Sequence, residues 1–273
     1  MPIRPPAARS ADPMIYSDEM EVACRAIREA SDTYIHRKTD VRIKENSSGA
    51  YDVVTKNDVL IEEYIKKAVH EAFPDDSFLC EESGEQIHSD RVWVIDPIDG
   101  TVNYAHGIPL YGIQLALMVD DEGVMAVIYL PEFDEMYTAE KGCGAYLNGR
   151  KLDVRNDVSM HDTIVSTSDY SRGSAKYRAG QLRFMELLHD KVARFKMFGC
   201  ACCDFAYFAS GRTECHIRYV RKLWDFLPGL LISIEAGGVY DHELYDRYRF
   251  LIMCSSEKAL ADISKVLRGG MDF

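Results

Sequence analysis

Residues 92–104, Val-Trp-Val-Ile-Asp-Pro-Ile-Asp-Gly-Thr-Val-Asn-Tyr, constrain what this chain can fold into more than any other stretch. The apolar, β-branched run from Val92 to Ile95 is the pattern of a buried strand. Asp96 and Asp99 follow, separated by Pro97 and Ile98. Proline cannot donate to a sheet ladder, so the strand is expected to stop at Pro97 and to carry both acids at its carboxyl end. Gly100-Thr101 then allows a tight turn whose backbone N–H groups can face an anion. Two carboxylates would repel that anion unless cations stood between them, and hard cations such as Mg²⁺ take carboxylate oxygens as ligands. The local chemistry reads as metal-dependent phosphoryl transfer.

The charge balance narrows the partners. With 44 acids against 32 bases the net charge is −12, a surface that repels nucleic acid and anionic membranes. The expected partner is a small phosphorylated substrate. No apolar run reaches the ~18 residues of a membrane-spanning helix. Residues 1–13 hold four prolines, two arginines and no apolar segment, so 1–14 is expected to be a disordered leader and not a secretory signal. Eight cysteines in a chain this long fit a reducing, cytoplasmic compartment better than a disulfide framework. Cys200, Cys202, Cys203, Cys215 and His216 raise the question of zinc. The segment Cys200 to Phe208 reads as one buried helix, however, in which thiols act as small hydrophobes.

Periodicity places the remaining elements. Ser17-Asp18-Glu19 starts a helix with apolar residues at Met20, Ala23, Ile27, Ala30 and Tyr34. A second helix fits Asn57 to Phe73, ahead of Pro74. Tyr111–Val119, Gly123–Leu130 and Glu135–Glu140 read as strands, and Asn148-Gly149 as a type I′ hairpin turn. Beyond Asp153 strands (Ile164–Thr167, Phe195–Phe198) alternate with helices (Lys176–His189, Cys202–Ala209, Pro228–Ala236), the last closed by Gly237-Gly238. Strands clustered between helical blocks predict an α+β layered sandwich. Residues 15–273 are read as one domain of two closely packed halves, about 15–155 and 156–273.

Six stretches in order, Tyr51–Asp58, Phe78–Ser83, Trp93–Tyr104, Lys141–Gly149, Leu223–Phe226 and Glu235–Gly238, resemble the signature of the inositol monophosphatase family, whose superfamily also holds fructose-1,6-bisphosphatases. The resemblance runs from about Ser17 to the C-terminus. It implies alternating α-β-α-β-α layers, two or three Mg²⁺ ions, sensitivity to Li⁺ and a homodimer. It implies one metal held by Glu81, Asp96 and the carbonyl of Ile98, and a second by Asp96, Asp99 and Asp225. A single bridging carboxylate suits cations ~3.5–4 Å apart flanking one phosphoryl group. Glu82 would point away from Glu81 on an extended chain. Thr101, paired with Glu81, would orient and help deprotonate the attacking water, with Asp52 behind it or at a weaker third metal. Asp99, Gly100, Thr101, Ala201 and Arg218 would line the substrate. Taken alone, Asp225 would be an ordinary cap of the Pro228 helix, and Asp52 a loop acid.

Two departures from the family pattern bear on specificity. Cys80 stands where the family has glycine, which would put a thiol near the metals. Arg218 stands where inositol-selective members carry glutamate, and with Arg221 and Lys222 it would favour a second anionic group. The competing reading is an exposed basic loop. Inositol-1-phosphate or a related sugar phosphate is the expected substrate. Fructose-1,6-bisphosphate comes next, histidinol phosphate and 3′-phosphoadenosine 5′-phosphate further behind, and a non-catalytic regulatory scaffold last.

Overall fold

A computed structural model describes residues 15–37, 40–43, 53–169 and 174–272. The leader and Asp52 lie outside them. In chain order the elements begin with α1 (Ser17–Tyr34), β1 (Val41–Ile43), β2 (Val53–Thr55), α2 (Lys56–Ala72), β3 (Ser77–Cys80), β4 (Gly84–Gln86) and β5 (Arg91–Asp99). A short α3 (Thr101–Ala105) precedes β6 (Gly112–Val119), β7 (Glu122–Leu130), β8 (Glu135–Glu140), β9 (Gly144–Leu147) and β10 (Arg150–Lys151). Then come β11 (Ile164–Thr167), α4 (Ala175–Leu188), β12 (Arg194–Lys196), α5 (Ala201–Ala209), β13 (Cys215–Tyr219) and α6 (Leu223–Glu235). The last elements are β14 (Val239–Tyr240), α7 (His242–Tyr248), β15 (Phe250–Cys254) and α8 (Glu257–Gly270).

An eight-stranded sheet runs β10-β9-β8-β7-β6-β5-β3-β4, and a five-stranded sheet runs β12-β11-β13-β15-β14. Alternation along each strand sorts side chains into three apolar cores. Trp93, Ile95, Leu115, Leu117 and Val127 face α1 and α2. Val94, Ala116, Ala126 and Ile128 face α5 and α6, which cover Leu251 and Met253 of the second sheet on their other side. Val165, Ile217, Phe250 and Ile252 face α4 and α8. The result is the α-β-α-β-α sandwich. Its central helices α5 and α6 are buried on both sides, which explains their almost unbroken apolar sequence.

Local chemistry accounts for the ends that matter. Thr55 caps α2 and Asp58 reaches back to its backbone N–H, a capping box. Asn148 (φ 47°) and Gly149 (φ 78°) make the β9–β10 turn in the left-handed region that a type I′ hairpin requires. Two expectations need correcting. Strand β5 does not stop at Pro97 but continues to Asp99, with a register shift between Asp96 and Asp99 that absorbs the proline as a bulge. Helix α6 starts at Leu223, not Pro228. A proline one turn inside a helix forfeits the single bond to the carbonyl four residues back, here Trp224, and burial on both faces outweighs that loss.

Candidate active site

Parity along two neighbouring strands builds the site. Cys80 of β3 pairs with Ile95 of parallel β5, and the N–H of Glu81 donates to the carbonyl of Ile95 at 3.1 Å. Glu81 therefore shares a face with Leu79, and Asp96 with Val94, both on the α5/α6 side. Cys80 points the opposite way, into the α1/α2 core, where burial pushes its thiol up to about 12. The expectation that it approaches the metals is not met. The backbone N–H groups of Glu82 and Ser83 donate to Glu62 at 2.9 and 3.0 Å, which holds the turn after Glu81.

Asp96 is 1 % exposed and its Oδ1 has no hydrogen-bond partner. Burial pushes its carboxyl well up, reinforced by the charges of Glu81, Asp99 and Asp225 and by a hydrogen bond with Glu81. Burial likewise raises Asp99 to about 7 and Asp225 to about 6, even though both keep some contact with solvent. Asp225 sits in the first turn of α6, where the cap residue is Lys222 and no side chain caps. The alternative capping role is not realised. The charges of Glu81, Asp99 and Asp225 all bear on Asp96, whose buried oxygen is unpaired, and carboxylate oxygens are the donors a hard divalent cation takes.

Gly100 (φ +90°) turns the chain from β5 into α3, and a Cβ there would come within 2.7 Å of Cys200 Cβ. This close approach requires glycine. It sets the start of α3 against the start of α5, where Ala201 is buried and the Cys202 N–H donates to Asp99 Oδ2. Asn103 ties the two ends, donating to the carbonyls of Leu110 (2.7 Å) and Phe198 (2.8 Å).

Thr101 Oγ1 donates to the Ile98 carbonyl at 2.8 Å and lies 3.3 Å from Asp58 Oδ1. Asp58 is fully buried and was not among the residues expected here. Its signal was the Thr55-x-x-Asp58 spacing, which helix capping accounts for equally well. Gln114 was also missed. It pairs with Asp96 across β5 and β6, is fully buried, and neither side-chain amide atom has a partner. A lone amide in the apolar strand Gly112–Val119 was the available sign.

Arg218 is not on an exposed loop. It lies on β13, 8 % exposed, over the Phe205 ring at 5.9 Å, with Nε and Nη1 unpaired. Its charge draws down the carboxyls of Asp99 and Asp225 against the effect of burial. Arg221 and Lys222 are exposed and lie over Tyr177 and Trp224, and their charges, like that of Arg218, still draw down the carboxyl of Asp225. The five-residue zinc reading also breaks up. Cys215 lies 3.3 Å from Cys254 across β13 and β15, and His216 bonds Ser166 at 2.9 Å, 4.0 Å from Asp204. Cys200, Cys202 and Cys203 do gather, and Cys200 and Cys203 stand in a C-x-x-C spacing. A surface hollow of about 410 Å³ lies elsewhere, lined by Glu135, Tyr207 and Arg212, with Arg212 ion-paired to Glu135. Among the described residues no helix is long and apolar enough to cross a membrane.

Comparisons with known proteins bear on the family and the fold. The model of the inositol monophosphatase family matches residues 15–248. A fructose-1,6-bisphosphatase/inositol-1-monophosphatase of Thermotoga maritima is 31% identical over 222 residues, 81% of this chain and 84% of that protein. A Nus factor SuhB of Xylella fastidiosa is 37% identical over 187 residues, 68% of each chain. The crystal structure of extragenic suppressor protein suhB from Bartonella henselae superposes with a TM-score of 0.84 at 29% identity, covering 93% of this chain and all of that one.

Proposed function

The chain belongs to the inositol monophosphatase family, and on that premise we propose that it hydrolyses a small phosphomonoester with Mg²⁺ held by the acid cluster. The observation that carries this reading is Asp96, buried with an unpaired oxygen among Glu81, Asp99 and Asp225. Glu81, Asp96 and the Ile98 carbonyl would hold one cation, and Asp96, Asp99 and Asp225 a second. Bound there, Mg²⁺ supplies an acidified water and neutralises charge on the phosphoryl oxygens and the leaving oxygen.

The chain's own groups do the rest. With the Ile98 carbonyl turned to a cation, the Thr101 hydroxyl would donate to Asp58 instead, and would take a proton from the attacking water as its own passes to Asp58, with Glu81 beside it. The backbone N–H groups of Gly100 and Thr101 hold phosphate oxygens, and Ala201, too small to obstruct, borders the bound substrate. The likeness to a protein named for both inositol-1-monophosphatase and fructose-1,6-bisphosphatase activity supports either substrate class. Arg218, buried with two unpaired nitrogens, supports a second anionic group on the substrate.

The test is phosphate release, with and without Mg²⁺, from a panel containing inositol-1-phosphate, fructose-1,6-bisphosphate, histidinol phosphate and 3′-phosphoadenosine 5′-phosphate, ranked by kcat/KM. Mg²⁺-dependent release from one class supports the reading. No release from any would favour a regulatory role without hydrolysis, a possibility raised by relatives named Nus factor. We also propose a homodimer in the cytoplasm, the first checked by light scattering of the purified chain.

A further inference from the structure

The three sulfurs of Cys200, Cys202 and Cys203 lie within 4.8 Å of one another at the start of α5, and all three residues are buried. Cys200 is the cap residue, its backbone extended at φ −153° and ψ 144°, so its side chain folds back over the first turn that carries Cys202 and Cys203. Gly112 leaves room beside them, since a Cβ there would stand 3.0 Å from Cys202 Sγ. The three cysteines belong to the apolar core between the two sheets, with the carboxylates of Asp99 and Asp204 near enough for their charges to reach them.

We propose that this triad is a three-coordinate site for a soft, thiophilic cation, separate from the carboxylate cluster. Thiolate sulfur selects soft ions, whereas Mg²⁺ requires oxygen. A cation ~2.3 Å from three sulfurs in a plane sets them roughly 4.0 Å apart. Closing the present arrangement, within 4.8 Å, therefore needs shifts under about 1 Å. Binding would release the three S–H protons to solvent, against the burial that raises the thiols of Cys200 and Cys202. Among the described residues no histidine or carboxylate joins the triad, although the charges of Asp99 and Asp204 bear on Cys203.

Occupation would reach the neighbouring site through one bond. The N–H of Cys202 holds Asp99 Oδ2, and Cys202 Sγ lies 3.7 Å from the Asp99 carbonyl. Drawing the three sulfurs together moves the first turn of α5 and the acid it holds. This consequence, unlike the binding itself, rests on the phosphatase reading.

The experiment titrates the reduced full-length chain with Cd²⁺ under anaerobic conditions and follows the ultraviolet band of thiolate-to-cadmium charge transfer, which carboxylate-bound cadmium does not give. The expected result is a band saturating at one equivalent, lost in Cys203→Ser and in Cys200→Ala, each checked for folding by circular dichroism, and retained in Cys254→Ser. No band, or a band that survives both triad variants, overturns the site. In parallel, one equivalent of Cd²⁺ should lower Mg²⁺-dependent turnover at least fivefold in the unmodified chain and less than twofold in Cys203→Ser. A band without that difference overturns the coupling to Asp99 and leaves the metal site standing.

Discussion

The Thr101 hydroxyl lies 3.3 Å from one oxygen of Asp58, and the other oxygen of Asp58 takes both the N–H and the hydroxyl of Thr55. One buried carboxylate thus caps helix α2 and polarises a hydroxyl on α3. Asp58→Asn keeps the shape and weakens both functions. Turnover should fall about a hundredfold, within the usual range for proton-transfer catalysis, with KM changed less than threefold. Loss of the reciprocal cap should cost about 1 kcal/mol in urea unfolding. A variant with more than a third of the original turnover would remove Thr101–Asp58 from the reaction.

Asp96→Asn should nearly abolish hydrolysis while the fold survives. In the absence of metal, Asp96 shares a hydrogen bond with Glu81 and its charge is opposed by three other acids. An amide can donate to Glu81 and relieves that repulsion, so metal-free Tm should hold or rise. The increment in Tm on adding Mg²⁺ should disappear. Retention of more than a tenth of the turnover, a loss below ~1.4 kcal/mol in transition-state stabilisation, would be the wrong result for a bridging ligand.

Metal-free stability should depend on pH with a definite sign. Asp99 and Asp225 are raised to about 7 and about 6, against ~3.9 for an unfolded aspartate, so the folded chain binds more protons between those limits. Their contribution is present at low pH and is lost as pH rises through 6 to 7. Burial also holds His216 neutral, which lowers stability at acidic pH, so the clean window lies above ~6.5. With EDTA, Tm should therefore fall between about pH 6.5 and 8, and the Mg²⁺ increment should grow over that interval. A flat metal-free Tm would show that the acids titrate normally.

Arg218→Glu separates the candidate substrates. A charge-assisted contact to a second phosphate contributes roughly 1.5–3 kcal/mol, so kcat/KM for fructose-1,6-bisphosphate should drop about tenfold to a hundredfold. Hydrolysis of inositol-1-phosphate should hold or improve. Equal losses on both substrates would assign Arg218 to the acid cluster and not to the substrate.

Li⁺ and Ca²⁺ should both inhibit, for different reasons. Li⁺ matches Mg²⁺ in size with half the charge, so it stabilises the leaving oxygen poorly. Ca²⁺ accepts irregular coordination and does not enforce in-line geometry. Steady-state rates at fixed Mg²⁺ decide this, and full activity with Ca²⁺ as the sole cation would count against the acid cluster as the catalytic centre.

Residues adjacent in the chain were legible from the sequence, because their chemistry is local. Asp96-Pro97-Ile98-Asp99-Gly100-Thr101 declares a strand end, two acids and a tight turn within one segment, and the structure alters only the bulge that absorbs Pro97. The alternating apolar strands and the periodic faces of α1 and α2 likewise announced the layers they build. What no local pattern could decide was which remote residues meet. Asp58 reaches Thr101 because α2 and α3 pack together, Arg218 enters the acid cluster because β13 lies beneath α5, and of five neighbouring zinc-ligand types only three sulfurs converge. Those distances follow from the stacking of two sheets on one pair of central helices. Short-range preferences specify each surface, and only their mutual packing sets which side chains stand opposite one another.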